Sequence, residues 1–373
     1  MTRDEREMAS TAPNPPHALL AGGGTGGHVF PALAVAEELQ ARGWRVSFTG
    51  STSGLEERLV TARGLPFYPL PAKPLVGRGL VGKISAVTTV MSSGNAAAGL
   101  IRKLGVDVVL GTGGYVSAPA VFGARLARRP ILLLEPNARA GVANRWLSRW
   151  ARGAFVGYRD AINDLKCPCW VTGVPVRAAF FSVPAEMPPL DPPRLLVLGG
   201  SQGAQQINQA LPEAAVRLVE RLPAIRIVHQ AGARNLDETR AAYEAAGLTA
   251  RNVEVVPFLD DVASAMAGSH LLVSRAGAIT LAEICAAGRP SVLVPLSIAQ
   301  GHQMDNARML EETGGARVLP SSDFSAERLA DLVADLLADG ACLSQMAAAA
   351  RSLAKPKAVA EIASRLEELG GRG

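Results

Sequence analysis

The feature that most constrains this chain is a strand–turn–helix pattern at residues 18–40 that returns at residues 194–218. The first copy reads ALLAGGGTGGHVFPALAVAEELQ: a short apolar run, a glycine-rich turn and a helical pattern. The second copy, RLLVLGGSQGAQQINQALPEAAVRL, keeps that order. Glycines in such a turn permit positive φ angles and let a ligand approach the backbone amides. Each copy therefore predicts a parallel-sheet unit with an anion site at the start of its first helix.

A second pair of matching segments extends the repeat. Residues 108–135 run from a strand through a glycine turn and a small-residue helix to another strand, and residues 271–295 repeat this order. A chain of 373 residues also exceeds the usual size of one core, which is about 250–300 residues. We therefore predict two similar doubly wound domains, with the chemistry in the cleft between them at the carboxyl ends of the strands.

The rest of the pattern predicts the elements and their boundaries. In the first half we predict strands at 17–22, 45–50, 107–112, 131–136 and 153–158, helices at about 84–104 and 116–128, and a long loop at 71–82. The amphipathic last helix, at about 356–369, is expected to pack back across the domain boundary. The predicted divisions are a disordered extension at 1–16, a first domain at 17–178, a proline-rich linker at 179–193, a second domain at 194–350 and a terminal segment at 351–373.

Charge and composition limit the classes of partner that the chain is expected to bind. The chain carries 38 basic and 33 acidic residues, and the excess of basic residues lies in the first half. This asymmetry favours an anionic partner there: a membrane surface, a nucleic acid or a phosphorylated substrate. Nucleic acid is the weakest of the three, because aromatic residues make up only 5% of the chain and no recognised binding motif is present.

Cysteine and histidine usage indicates neither a metal site nor a disulfide framework. Cys167 and Cys169 flank a proline, a spacing unlike zinc or thioredoxin motifs, and the five histidines are scattered singly. The first 16 residues lack the apolar core of a signal peptide, and no run approaches the roughly 18 apolar residues of a membrane span. We expect a reduced, metal-free protein in the cytoplasm.

His28 distinguishes the first glycine turn from a general phosphate loop. It lies where the glycines end and the helix begins, and an imidazole beside a positive helix end tends to stay neutral, the form a general base needs. A capping or surface role for His28 is the alternative. The turn matches the dinucleotide fingerprint GxGxxG only loosely, and it lacks the GxxxxGK[ST] of P-loop nucleotidases.

With both halves in view, the chain resembles the GT-B glycosyltransferases, and among them the N-acetylglucosaminyltransferases of peptidoglycan synthesis. The segments that carry the resemblance are GGGTGGHVFPALAVAEEL (22–39), GTGGYVSAP (111–119), TGVPVR (172–177), GGSQGA (199–204), SRAGAITLAEI (274–284) and HQMDNA (302–307). The resemblance implies two Rossmann-like parallel-sheet domains that face a central cleft. It also implies inverting transfer of N-acetylglucosamine from its uridine diphosphate (UDP) carrier to the muramoyl sugar of a membrane-borne diphosphate lipid.

The resemblance also assigns roles residue by residue. His28 is the candidate base for the acceptor hydroxyl. The implied donor-binding residues are Thr25, Gly26, Gly27, Asn137, Arg177, Ser201, Leu259, Ala278, Ile279, Thr280, Leu281, Ala282, Glu283 and Gln303. Gly113, Gly114 and Tyr115 form the implied acceptor or phosphate loop. Turn, capping or solvated roles remain the alternatives for Asn137, Ser201, Glu283 and Gln303. The family's usual HEQN reads Leu134-Glu135-Pro136-Asn137 here, so Pro136 removes one backbone donor beside Asn137.

The loop at 74–84, PLVGRGLVGKI, predicts a membrane contact. It mixes apolar residues with cations, a composition suited to a peripheral contact with anionic lipid on the cytoplasmic side of the cell membrane. The candidate contact residues are Leu75, Val76, Arg78, Leu80 and Lys83. The alternative is a loop that packs on its own domain.

Three other functions stay open on the sequence. A nicotinamide-dependent oxidoreductase would use the glycine turns for a dinucleotide, but the next strand, RVSFTG, lacks the acidic residue that such a site requires. A non-catalytic sugar-nucleotide scaffold on the membrane would not need His28 at the helix start. A sugar epimerase shares the architecture but needs no lipid acceptor. The transferase itself needs no organic cofactor on this interpretation, and assistance by a divalent ion stays open.

Overall fold

The computed structural model describes residues 14–24, 26–51, 55–72, 80–200, 203–296 and 302–370, with the backbone alone at residues 55, 80–88 and 302. Within these ranges the chain forms two parallel sheets, each covered by helices on both faces. The predicted pair of doubly wound units is confirmed.

The first sheet has seven parallel strands in the order β3-β2-β1-β4-β5-β6-β7. Its strands are β1 His17–Ala21, β2 Arg45–Gly50, β3 Phe67–Pro69, β4 Val108–Gly111, β5 Ile131–Glu135, β6 Gly153–Val156 and β7 Cys169–Val171. Neighbouring residues of β1 serve opposite faces: Leu20 belongs to one core and Leu19 to the other. Because both faces are covered, the central strands β1, β4 and β5 are largely apolar without alternation, whereas β2, nearer the edge, alternates apolar and polar residues.

The second sheet has six parallel strands in the order β10-β9-β8-β11-β12-β13. Its strands are β8 Arg194–Leu198, β9 Arg226–Gln230, β10 Val253–Val256, β11 Leu271–Ser274, β12 Ser291–Leu293 and β13 Ala316–Val318. In both sheets the strand order reverses beside the strand that precedes the first glycine turn. The two glycine turns therefore stand at equivalent switch points, where α/β sheets bind their ligands.

Fourteen described α-helices and one 3-10 helix, Arg159–Asp164, connect the strands. The α-helices are α1 Gly26–Ala41, α2 Leu55–Thr61, α3 Leu80–Leu104, α4 Ser117–Leu126, α5 Val142–Leu147, α6 Ala178–Phe181, α7 Gln205–Arg221, α8 Leu236–Ala245, α9 Val262–Ala267, α10 Ala278–Ala287, α11 His302–Glu312, α12 Ala326–Ala338, α13 Gly340–Ser352 and α14 Ala358–Gly370. The expectation of a loop through residue 84 is wrong from Leu80 onward, since α3 begins there. The apolar residues Leu80, Val81 and Ile84 have helical spacing, which the proline and glycine residues before them obscure.

The chain crosses between the two units twice. Phe180 of α6 is fully buried in the core of the second sheet, although α6 directly follows the first sheet. Ile362 and Leu366 of α14 are buried in the core of the first sheet. Helix α13 runs through the boundary expected at 350/351. Both crossings bring the units together around one cleft.

Among the described residues, no single helix has the length and apolarity to cross a bilayer. The bent pair Ala326–Ala338 and Gly340–Ser352 meets that test only when its two helices are taken together.

Candidate active site

An open cleft of about 1430 Å³ lies between the two sheets and is lined by both of them. It is lined by eleven of the fifteen residues that the resemblance assigned to the base and the donor site. The predicted residues that line it are Gly26, Gly27, His28, Asn137, Arg177, Leu259, Ala278, Ile279, Thr280, Glu283 and Gln303. Segments far apart in the chain thus meet at one site, as expected for the carboxyl ends of two parallel sheets.

The remaining predicted residues have other positions. Leu281 and Ala282 lie on α10 but face the core beside it, Leu281 being buried. Thr25, Ser201, Leu75, Val76 and Arg78 lie outside the described residues, as do the side chains of Leu80 and Lys83. Gly113, Gly114 and Tyr115 do not line the cleft and lie against its first glycine turn and His28.

His28 has a fixed tautomer. Its Nδ1 lies 2.8 Å from the carbonyl oxygen of Thr112, which can only accept, so Nδ1 carries the proton and Nε2 keeps a free lone pair. Burial lowers the pKa of His28, while the charge of Glu135 and the bond to Thr112 act in the opposite direction. A neutral imidazole with an unprotonated Nε2 at the cleft is the arrangement that a general base requires.

The loop after β4 packs directly on this imidazole. Gly113 and Gly114 have φ angles of 93° and 71°, a region that favours glycine. A Cβ at Gly113 would stand 3.0 Å from Cε1 of His28, and one at Gly114 would stand 3.2 Å from its Cδ2. The predicted loop therefore touches the ring, and glycine is required there for both conformation and space.

Glu283 lies on α10 with its side chain 13% exposed, and its Oε1 is 3.9 Å from Nη2 of Arg177. Burial raises the pKa of Glu283 from its ordinary value of 4.5 to about 7, although the positive charge of Arg177 opposes the rise. The Arg177 guanidinium lies over the rings of Phe30 and Phe180, and its buried Nε has no hydrogen-bond partner among the described residues. This carboxylate and guanidinium are thus held in the cleft with capacity left for a ligand.

The raised pKa of Glu283 predicts a stability cost at alkaline pH. Below about pH 4 the carboxyl is mostly protonated in the folded and unfolded states alike. Between its ordinary pKa of 4.5 and about 7 the carboxyl ionises in the unfolded state but not in the folded state. The folded state therefore loses stability relative to the unfolded state as the pH rises through this range. We expect Glu283→Gln to raise the midpoint of thermal unfolding by about 2–4 °C at pH 8 and to leave it unchanged at pH 4. Scanning calorimetry of the unliganded protein at both pH values checks this; an equal shift at both pH values would contradict it.

The side-chain amides of Asn137 and Gln303 each use one of their two polar groups in a hydrogen bond within the protein. The backbone N and the Nδ2 of Asn137 both donate to Oε1 of Glu135, at 3.0 and 2.9 Å. Oε1 of Gln303 accepts from the backbone N of Leu296 at 2.9 Å. Asn137 thus retains its side-chain oxygen and Gln303 its NH₂ group, so the capping role weighed for Gln303 leaves that side chain able to bind a ligand.

Three residues that the sequence analysis missed support or line the cleft. Glu56 is fully buried and accepts from the backbone N of Gly24 and from Ser51, which fastens the first glycine turn. Glu135 is 2% exposed and holds the Asn137 loop. Arg275 follows β11, lines the cleft and donates to Gln206, and burial lowers its pKa. Charged residues next to strand ends were the available signal.

Within the described ranges, no three His, Cys, Asp or Glu side chains gather as a metal-ion site would need.

Comparisons with known proteins agree with this arrangement. Residues 18–156 match the glycosyltransferase family 28 N-terminal domain, and residues 194–366 match the C-terminal domain of that family. A UDP-N-acetylglucosamine–N-acetylmuramyl-(pentapeptide) pyrophosphoryl-undecaprenol N-acetylglucosamine transferase from Halorhodospira halophila is 42% identical over 94% of this chain and 97% of its own length. The enzyme of the same name from an Azoarcus species is also 42% identical, with the same coverage.

Comparison with solved structures distinguishes a relative of the same family from a protein that shares only the fold. MurG of Acinetobacter baumannii superposes with a TM-score of 0.73 at 34% identity, covering 95% of this chain and all of that one. The UDP-GlcNAc 2-epimerase of Neisseria meningitidis reaches a TM-score of 0.66 at 16% identity, covering 94% of this chain and 99% of the epimerase, and so shares the fold alone. By its two matched domains and its identity to these transferases, the chain belongs to glycosyltransferase family 28, in the group that includes MurG.

Proposed function

We propose that the protein transfers N-acetylglucosamine from UDP-N-acetylglucosamine to the muramoyl sugar of undecaprenyl-diphosphate-MurNAc-pentapeptide (lipid I), forming lipid II for the peptidoglycan wall. The observation that carries the proposal is that His28, whose Nε2 is unprotonated, lines the same cleft as the first turn of α10 in the second domain. The relatives with 42% identity bear the name of this reaction.

The donor lies along the second domain. Glu283 accepts from the ribose hydroxyls, and Leu259 packs against the uracil. The first turn of α10, Ala278–Thr280, presents backbone N–H groups to the diphosphate, where the helix dipole favours negative charge. Arg177 adds a positive charge as the leaving diphosphate becomes more negative. Asn137 and Gln303 hold the sugar.

The acceptor enters from the first domain. His28 takes the proton from the attacking sugar hydroxyl through Nε2, and the bond from Nδ1 to Thr112 keeps the ring in place during the transfer. The hydroxyl attacks the anomeric carbon from the side opposite the leaving diphosphate, so the linkage forms with inversion. The donor already carries an activated sugar, so no organic cofactor is required.

Each alternative function requires a residue or yields a product that differs from those of the proposed transferase. A dinucleotide oxidoreductase requires an acidic residue at the end of β2, where Thr49 and Gly50 stand. A scaffold would bind the donor without turnover. An epimerase would convert UDP-N-acetylglucosamine without any lipid. The relatives named as transferases are far more similar to this chain than the epimerase is.

Incubation of the protein with labelled UDP-N-acetylglucosamine and lipid I tests the proposal. We expect label in a disaccharide lipid, with release of UDP and inversion at the anomeric carbon. Donor binding without product would favour the scaffold, and a changed sugar nucleotide formed without lipid would favour the epimerase.

We also propose that the first domain docks peripherally on an anionic membrane, on the cytoplasmic side, through Leu75, Val76, Arg78, Leu80 and Lys83. Helix α3 begins within this segment, and in its described part Met91 is 54% exposed, which places an exposed apolar side chain on the same helix. Basic side chains near such a surface contribute roughly 1 kcal/mol each on an anionic bilayer.

Vesicle binding checks the membrane contact. The fourfold variant Leu75→Ser, Leu80→Ser, Arg78→Glu and Lys83→Glu is expected to abolish co-sedimentation with anionic vesicles, whereas the unaltered protein binds at low salt and is released as salt rises. Activity on a soluble short-chain acceptor is expected to stay unchanged, because none of the four residues is proposed to contact the donor or the reacting sugar. Equal binding by the variant would assign the contact to another surface.

A further inference from the structure

The side chain of Asn306 joins the two domains behind the cleft. It lies on α11, three residues after Gln303, and is 1% exposed. Its Oδ1 accepts from the backbone N of Ala138 in the first domain at 3.0 Å, and its Nδ2 donates to the carbonyl oxygen of Ala276 in the second at 3.3 Å. One buried amide thus connects segments of different domains with each of its two polar groups.

The first partner belongs to a rigid loop. Ala138 follows Asn137, and Glu135 holds the loop from below: its Oε1 accepts from Asn137, and its Oε2 accepts from Gly141 and Asn144. These bonds fix the shape of the loop within the first domain. They do not fix its position relative to the second domain.

The second partner stands at the start of α10. Ala276 is fully buried and is separated only by Gly277 from the first turn of that helix. The helix itself is anchored in the second domain by apolar residues such as Leu281 and Ile284, which are almost fully buried. Loss of the Asn306 contact therefore leaves α10 in place and releases the loop.

The neighbouring cross-domain contact is weaker. Arg139 Nε and Asp305 Oδ2 are 3.8 Å apart, and their side chains are 54% and 36% exposed. Exposed ion pairs of this kind contribute little, whereas a buried N–H or carbonyl left without a partner carries a large penalty. The buried amide is thus the contact that specifies how the loop meets α10.

We propose that Asn306 is a positioning residue that sets Asn137 at the correct distance from the donor diphosphate by fastening its loop to the start of α10. In this arrangement Asn306 positions the part of the donor site that binds the sugar, and the part that binds the nucleotide does not depend on Asn306. The inference therefore rests on the proposed function. UDP and UDP-N-acetylglucosamine respond differently to the loss of Asn306.

The test compares Asn306→Leu with Asp305→Asn, two substitutions at neighbouring positions of α11 that roughly keep the shape of the side chain. Asn306→Leu removes both the acceptor of the Ala138 backbone N and the donor to the carbonyl of Ala276. Asp305→Asn weakens only exposed ion pairs, the one with Arg139 and a second one with Arg308 on the same helix at 3.9 Å. Titration calorimetry measures the affinities for UDP and UDP-N-acetylglucosamine, and steady-state assays measure kcat.

For Asn306→Leu we expect UDP affinity within about twofold of the unaltered protein, with sugar-nucleotide affinity and kcat each lowered about 10-fold or more. Asp305→Asn is expected to change none of these by more than about twofold. Equal losses of UDP and sugar-nucleotide affinity would overturn the proposal, since α10 itself would then be disturbed. Unchanged sugar-nucleotide affinity and kcat would overturn it as well.

Amide hydrogen exchange of the unliganded protein gives an independent measurement. The Ala138 amide, which has lost its acceptor, is expected to exchange at least about tenfold faster in Asn306→Leu, and also in Asn306→Ala if the first variant fails to fold. Equal exchange rates in a folded variant would overturn the inference. If the unaltered protein bound no UDP-N-acetylglucosamine, the proposed function would fail, while the exchange rates would still decide whether Asn306 fastens the loop.

Discussion

Replacing His28 with alanine is expected to lower kcat by about 10²–10⁴-fold while the affinity for UDP-N-acetylglucosamine stays within about twofold. The imidazole contributes the unprotonated Nε2 that takes the proton of the acceptor hydroxyl, whereas the proposed donor contacts come mainly from the second domain. Single-turnover kinetics with preformed enzyme–donor complex measure the chemical step directly.

His28→Asn is the matched control for this prediction. Its amide NH₂ can still donate to the carbonyl of Thr112, yet it has no counterpart of Nε2, so a loss equal to that of the alanine variant assigns the effect to the base. Because burial lowers the pKa of His28 below 6.5, the acidic limb of kcat should lie below pH 6.5 and disappear in both variants. Near-normal turnover in either variant would remove His28 from the mechanism.

Replacing Glu283 with alanine is expected to raise the KM for the donor by about 10- to 100-fold and to lower kcat much less. The carboxylate is proposed to bind the ribose hydroxyls, contacts that persist unchanged from ground state to transition state. Since its pKa is about 7 in the unliganded protein, donor affinity should also weaken as the pH falls through 7 and the carboxyl becomes protonated.

A donor with a 2′-deoxyribose identifies the contact. The unaltered protein should bind this analogue more weakly than UDP-N-acetylglucosamine, whereas Glu283→Ala should bind the two alike, because the hydroxyl that distinguishes them has lost its partner. Calorimetry with both nucleotides measures the difference. A variant that still discriminates between them, or binds the normal donor as tightly as before, would contradict the assignment of Glu283.

Local sequence determined the inner part of the fold. The segments that became β1, β2, β4 and β5 are buried apart from Arg45, and their sequence pattern identified them to within one residue at either end. The glycine turns and the repeated order of elements likewise predicted two doubly wound sheets. The three-residue edge strands β3 and β7 were missed, because half-exposed strands so short carry no distinct pattern.

Tertiary structure decided what each polar group does. The tautomer of His28 depends on a carbonyl 84 positions away, and Glu56 reaches a glycine 32 positions before it. Asn306 meets Ala138 across 168 positions. The position of His28 after the glycine turn brought it forward as a candidate, and the family resemblance brought Glu283 forward. The direction of a hydrogen bond and the burial that shifts a pKa arise only when distant segments pack, because both depend on which atoms replace water around the group.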